Sequence, residues 1–561
     1  MKKLPIGIQS FEDLRSNEYL YVDKTEDIYR LVTSSKIVFL SRPRRFGKSL
    51  LVSTLGELYN GKKLLFEGLY IYDKWDWTRC YPVIRIDWAG IKHNSKEEME
   101  ADMSDYLQSI ATVNDIILTR RFASGRFAEL IELLHRKDGN KVVVLIDEYD
   151  KPILDAIGKP EAADIRAFLQ EFYVILKSAD DHLKFVFMTG VTKVAKVSIF
   201  SALNSLKDIS LSEQFPSICG YTQEELERDF SEYIDNTAVH VNMTREDLLA
   251  KIRQWYDGYT WDGKTSVYNP FSTLPFFDNK EFSDYWFATG TPTFVINRLK
   301  KHGLAKTVLE PVIADSSAFD SYDPDALDDV PLLFQAGYLT VKKKEMINGE
   351  PEYTLGVPNQ EVRVSLMKHL LGAYTQYPVD QLGVLGKAML QQILAFDAEG
   401  FTKNMRIMLA GVSYTLQPED TLSEDANEAR YHIIFQMWMT MLGFNIQSER
   451  MTNRGRMDAV LLQPGLAIVV ELKYHAKTKL KTLLKQAIAQ IYDKRYYEQC
   501  KTGTCCCVEI SDGQKAFLRA IWSHICRTVA SAIHDFLQRS RMSVEWSHVA
   551  DEHLNDAPRS G

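Results

Sequence analysis

The sequence predicts a multidomain α/β protein, on three observations. Short apolar runs that read as buried strands alternate with helical stretches in the N-terminal part. A G-K-S triplet, Gly47 to Ser49, stands between one such strand and a helix. Near the C-terminus a strand–turn–strand pattern carries two acids and a lysine at strand spacing. At 561 residues the chain has room for roughly two to four domains.

An apolar share of 45% and a charged share of 25% are those of an ordinary soluble globular protein. The net charge of −8 excludes a global field that would attract nucleic acid. The balance changes locally. Between Arg450 and Arg495 stand ten Lys and Arg residues against three acids, Asp458, Glu471 and Asp493. That excess reads either as a solvated face or as a bed for phosphates. Cys505, Cys506 and Cys507 are contiguous, a spacing that fits neither a tetrahedral zinc site nor a disulfide framework. A reduced, cytoplasmic setting is the simplest reading. The first residues lack the apolar centre of a signal peptide, and no run approaches the ~18 residues of a membrane span.

Taken in order, Lys36 to Leu40 (K-I-V-F-L) reads as a buried strand. It enters the loop S-R-P-R-R-F-G-K-S, residues 41–49, and then a helix patterned by Leu50, Leu51, Leu55 and Leu58. Strand, loop, G-K-S and helix make the context of a Walker A phosphate-binding loop. Amides at the helix start would cradle phosphates. Lys48 would reach the β- and γ-phosphates, and Ser49 would help hold Mg²⁺. The usual first glycine, five before Gly47, is Arg42 here. By pattern alone, Arg42, Arg44 and Arg45 read equally as a basic surface loop.

Lys141 to Glu148 (K-V-V-V-L-I-D-E) is a buried strand ending in two acids, as a Walker B strand does. Asp147 would join the Mg²⁺ shell, and Glu148 would polarise the attacking water. Leu183 to Gly190 is a further buried strand with Thr189 at its tip, placed to sense a γ-phosphate. Strands near Val83, Val142 and Phe185 alternate with helices, which predicts a parallel sheet with ligands at the carboxyl ends of its strands. The expected nucleotide-binding set is Arg45, Gly47, Lys48, Ser49, Asp147 and Thr189, with Glu148 catalytic and ATP and Mg²⁺ bound.

These runs resemble the AAA-ATPase-like family. So do Y-V-D-K-T (21–25), D-E-Y-D (147–150), F-S-A-L-N (200–204), W-Y-D-G-Y (255–259) and Y-N-P-F (268–271). In that family the altered first glycine is the regular pattern, so the resemblance implies nucleotide binding despite Arg42. Aromatic runs such as Trp255 to Tyr259 read more readily as packing than as ligand contacts.

Residues 212–383 show helical periodicity without a catalytic motif. Within them Val330 to Gln335 reads as a helix. Tyr338 to Lys343 and Glu352 to Gly356 read as strands around the Asn348-Gly349 hairpin signal. Helix then hairpin resembles a winged helix. The acids Asp323, Asp325, Asp328 and Asp329 just before it disfavour direct DNA contact there. Val384 to Leu416 reads as linking helices. Beyond Asp512 the pattern predicts one helix, Ala516 to Leu537, and a polar tail.

Met457 to Leu462 and Leu466 to Lys473 read as strands joined by a Pro464-Gly465 turn. With the turn centred there, Asp458 lies opposite Glu471, Cβ atoms about 5 Å apart. Two carboxylates so close repel unless a cation lies between them. Lys473, two residues past Glu471, shares their face. Gln486 and Gln490 are neighbours on a following helix. Asp458 and Glu471 would hold Mg²⁺ or Mn²⁺, which activates water and neutralises a phosphate. Lys473 would position the water or stabilise developing charge. The bland alternative is a hairpin whose charges are simply solvated.

Acid, turn, E-x-K and Q-x-x-x-Q in this order resemble the PD-(D/E)XK nuclease superfamily, over residues 427–497. The resemblance implies a mixed sheet flanked by helices. It adds a glutamate from the first helix, for which Glu428, followed by Tyr431 and His432, is the match; Met457 stands where the family name has proline.

The expected architecture is therefore a P-loop parallel α/β core over 1–211 and a helical, winged-helix-like region over 212–383. A restriction-endonuclease-like PD-(D/E)XK α/β domain with linker helices follows over 384–511, then a C-terminal helix and tail over 512–561. The expected function is an ATPase coupled to a metal-dependent DNA nuclease with no membrane partner, homo-oligomerisation being left open. The resemblance suggests defence or mobile-element biology. The rival is a nucleotide-dependent signalling or scaffold switch whose nuclease-like domain binds partners without cutting.

Overall fold

A computed structural model describes residues 1–193, 206–288, 293–301, 310–319, 329–375, 377–395, 397–410, 424–452, 455–463, 466–473, 503–511 and 517–525. The chain forms two compact units, Met1–Arg363 and Val364–Gly561.

The first unit is built on a parallel sheet of β1 (Ile37–Ser41), β2 (Val83–Asp87), β3 (Val142–Asp147), β4 (Leu183–Gly190) and β5 (Lys207–Asp208), in the order β2-β3-β4-β1-β5. β1 and β3 are buried at every residue. Both faces of the sheet are therefore covered, which is why these strands are continuous apolar runs rather than alternating ones. Phe127 and Ile131 of the Ala123–Asp138 helix pack with Phe39, Val144 and Ile146, as do Phe168 and Phe172 of the Ala162–Tyr173 helix. The register matters for function. Ser41 pairs with Gly190, Ile146 with Met188, and Asp87 with Asp147, so the carboxyl ends of four strands come level.

A second core in this unit gathers Leu226, Phe230, Ile234, Tyr256, Tyr268, Phe276 and Phe277. Its helices start on strong signals: Thr222 and Glu225 form a reciprocal capping box, and the Asn269 side chain caps the Pro270–Asn279 helix. Tyr256, Tyr259 and Tyr268 are wholly buried, so the aromatic runs are packing elements. The helix Asp329–Gln335 lies in the chain between β6 (Val312–Asp315) and the β7 (Thr340–Ile347)–β8 (Glu350–Gly356) hairpin, and the three strands form one sheet ordered β6-β8-β7. The β7–β8 turn places Asn348 at φ 53° and Gly349 at φ 88°, the two positive values a tight hairpin needs.

In the second unit, helices Val379–Leu394, Ala398–Ala410 and Glu424–Met441 precede a mixed sheet. Its strands are β9 (Asn445–Thr452), β10 (Gly455–Gln463), β11 (Leu466–Lys473), β12 (Gly503–Ser511) and β13 (Phe517–Ile525), in the order β13-β12-β11-β10-β9. β12 runs parallel to β11, and the other neighbours are antiparallel. Over Phe517–Ile525, β13 corrects the expectation of a helix over Ala516–Leu537, the rest of which lies outside the described residues. F-L-R-A-I-W-S-H-I is rich in β-formers, and pairing it with β12 satisfies an edge that a helix would leave open. The sheet thus extends past residue 511. Among the described residues no helix is long and apolar enough to cross a membrane.

Candidate functional site

The loop after β1 turns through Gly47 at φ 91° into the Lys48–Tyr59 helix. That left-handed conformation is one glycine adopts without strain. No side chain caps this helix, so its first amides have no side-chain acceptor. Lys48 is 6% exposed, and its Nζ donates to the carbonyls of Arg42 and Pro43, both at 3.0 Å. Burial lowers its pKa, while Asp147 and Asp150 pull the other way.

Across from it stand the acids of β3. Burial raises the pKa of Asp147, with a hydrogen bond from Ser49 and the charge of Lys48 opposing it and Asp87 adding to it. Glu148, at φ 50°, is raised by burial and by Asp147, and Lys48 opposes this. Asp150 is differently placed. Its carboxylate accepts from the amides of Val191 and Thr192 and from the Thr192 hydroxyl, the last at 2.7 Å. It fastens the segment after β4 and is not free to act as a base. Thr189, the tip residue of β4, is fully buried, and its hydroxyl has no hydrogen-bond partner among the described residues. Gly47, Lys48, Ser49, Asp147, Glu148 and Thr189 therefore meet at one end of the sheet.

The loop's remaining residues dock on the rest of the unit. Arg42 is 1% exposed and donates to the carbonyls of Ser41, Ser210 and Phe215, with its guanidinium 4.3 Å over Trp261. Burial pulls its pKa down to about 10. It is a strut and not part of a basic surface. Pro43 lies against Gly337, where a Cβ would come within 2.8 Å of it. The Trp286 indole donates to the Arg44 carbonyl at 3.2 Å. Arg45, exposed and at φ 73°, stacks 4.7 Å over Phe271. Phe46 meets Tyr259 and Trp261 edge-on. Behind Trp286, its backbone amide and the Ser272 hydroxyl both donate to Glu361, and burial pushes that carboxyl up to about 8.

In the second unit, Ala459 pairs with Val470 and Gln463 with Leu466. The paired stretch ends at Ala459 and Val470; carried one step further, the same register would set Asp458 opposite Glu471. Lys473 stands in register with Glu509 of β12, and Glu471 with Cys507. Glu428 lies in the Glu424–Met441 helix. Gln486, Gln490 and the run 200–204 lie outside the described residues. Glu509 was not singled out from the sequence, because its register depends on a parallel partner distant in the chain. Asp87 was also missed, although V-I-R-I-D ends in the same Ile-Asp pair as β3.

A family model for a predicted AAA-ATPase matches residues 5–200, and one for the PD-(D/E)XK nuclease superfamily matches residues 426–511. An ATPase-like domain thus precedes a nuclease-superfamily domain in one chain. An uncharacterized protein in the vnfD 5′ region of Azotobacter chroococcum mcd 1 is 37% identical over 500 residues, spanning 89% of this chain and 93% of its own. The chain belongs to the AAA-ATPase-like family with a C-terminal PD-(D/E)XK nuclease superfamily domain.

Proposed function

We propose that the protein binds and hydrolyses ATP, and that nucleotide state governs a metal-dependent phosphodiesterase acting on DNA. One observation carries the first half: a buried lysine, an uncapped helix start and two carboxylates converge at the ends of β1 and β3. Phosphate oxygens would replace the Arg42 and Pro43 carbonyls as acceptors for Lys48. The first amides of the helix would hold the β-phosphate, and the unpartnered Thr189 hydroxyl would donate to the γ-phosphate. Glu148 would orient the attacking water. The oxygens of Ser49 and Asp147 suit a hard divalent ion, which supplies charge neutralisation at the phosphates.

The antiparallel β10–β11 register, which if continued past Ala459 and Val470 would set Asp458 opposite Glu471, supports the second half. Those acids, with Glu428 from the preceding helix, would hold Mg²⁺ or Mn²⁺, and Lys473 would stabilise charge on the cleaved phosphate. Cytoplasmic residence accords with the free Cys80 and Cys219. The test is to incubate the full chain with plasmid and Mg²⁺ or Mn²⁺, with and without ATP. Cleavage that requires metal and changes rate with ATP is expected. The docking of residues 42–46 on the rest of the unit favours one second reading, a nucleotide switch without cleavage. ATP turnover with intact plasmid in every condition would select it.

A further inference from the structure

β2 and β3 end alike, in Ile86-Asp87 and Ile146-Asp147, and the register pairs isoleucine with isoleucine and aspartate with aspartate. Residues paired this way share a face of the sheet, on strands about 4.8 Å apart. Asp87 therefore stands beside Asp147 on the side of β3 away from β4 and β1. One of its oxygens, Oδ1, accepts the Ala89 amide at 2.9 Å and caps the short helical turn Trp88–Gly90. The other oxygen has no hydrogen-bond partner among the described residues.

Three carboxylates, Asp87, Asp147 and Glu148, thus gather at strand ends beside the buried ammonium of Lys48. Among the described residues no three acidic, histidine or cysteine side chains stand close enough to ligate one ion together. Asp87 stands one strand outward of Asp147, at the edge of the nucleotide centre.

We infer that Asp87 is a third functional carboxylate of the nucleotide centre, accepting through Oδ2 a hydrogen bond from a water held by the divalent ion that accompanies ATP. The inference rests on the ATP-binding reading above. A carboxylate in this position turns such a water to a fixed orientation and strengthens its hold on the ion. Groups one water removed from an ion commonly change its affinity by about 10–100-fold when replaced. The two oxygens divide the work: Oδ1 holds the fold and Oδ2 serves the ligand.

That division makes the substitution Asp87→Asn informative, because the amide oxygen can still cap Ala89 while the negative charge is gone. ATP binding by the full-length chain is measured by calorimetry in EDTA and in graded Mg²⁺, beside melting temperature and turnover. Asp87→Asn is expected to melt like the parent and to bind ATP in EDTA at least as tightly. Its Mg²⁺ requirement for ATP binding and turnover should rise about tenfold. Asp87→Ala should show the same Mg²⁺ defect with a lower melting temperature, since the cap is lost as well. An Asp87→Asn protein with the parent's Mg²⁺ dependence overturns the inference. So does one that loses ATP binding in EDTA, because Asp87 would then serve the fold alone. Failure of the parent itself to bind ATP removes the nucleotide reading, and this inference with it.

Discussion

Lys48 has given up water for the carbonyl oxygens of Arg42 and Pro43, and it gains most when an anion arrives. Lys48→Ala is expected to weaken ATP binding roughly a hundredfold, the scale of a lost charge-assisted hydrogen bond. Calorimetry checks this, and an unchanged affinity removes the phosphate-binding assignment. Glu148→Gln should leave ATP bound but slow turnover by about a hundredfold. Asp150 is not a substitute base, being held by Val191 and Thr192. Glu361 carries a pH dependence of its own. Its pKa rises from 4.5 to about 8 on folding, so the folded state keeps a proton that the unfolded chain loses. That contribution to stability is complete below pH 4.5 and is lost as the pH climbs to about 8. Glu361→Gln should therefore raise the melting temperature more at about pH 8.5 than at about pH 4, as scanning calorimetry at the two pH values (each about half a unit outside that window) will show. An equal change at both refutes the assignment.

At the scale of elements, the β10–β11 hairpin carries the chemistry proposed for the second unit. Asp458→Ala and Glu471→Ala should each weaken Mg²⁺ or Mn²⁺ binding about tenfold or more and abolish cleavage. Lys473→Ala should spare metal binding and lose turnover. The readouts are calorimetry, a nuclease assay and melting temperature, and unaltered metal binding in both acid variants rejects the metal site. This hairpin was legible in the sequence because turn chemistry and a period of two fix its register locally. So were β1, β3 and β4: the apolar run of β1 leads into the loop that carries G-K-S, and those of β3 and β4 end at D-E and at Thr189. What could not be read depends on distant partners. β13 looked helical because its strand character is set by β12. Asp87 was overlooked because Arg85 interrupts the apolar run of β2 and only one acid ends it. Arg42 read as surface charge because Ser210, Phe215 and Trp261, which bury it, are far away in the chain.

For the molecule as a whole, the nucleotide loop belongs to all of Met1–Arg363 and not only to the sheet that bears it. Five successive residues, 42–46, lean on side chains or backbone between Ser210 and Gly337. A fragment ending at residue 211 loses nearly all of those supports, whereas one ending at 363 keeps them. The shorter piece is expected to bind no ATP, and the longer to bind it like the full chain. Equal binding by both fragments would show the docking to be incidental. Restoring the usual glycine with Arg42→Gly should destabilise the unit by on the order of 3 kcal/mol, read as a lower melting temperature.

Arg42 and Lys48 share a property that matters at the bench. Their hydrogen bonds go to neutral carbonyls in a buried setting, with an indole face beneath Arg42, and mobile ions screen buried contacts far less than exposed ones. The basic run from Arg450 to Arg495 is of the opposite kind: any hold it has on a polyanion weakens steeply as counterions crowd in. A salt gradient therefore acts far more on that run than on the loop around Lys48. A concentrated wash that strips nucleic acid from the purified chain leaves the loop around Lys48 seated as before.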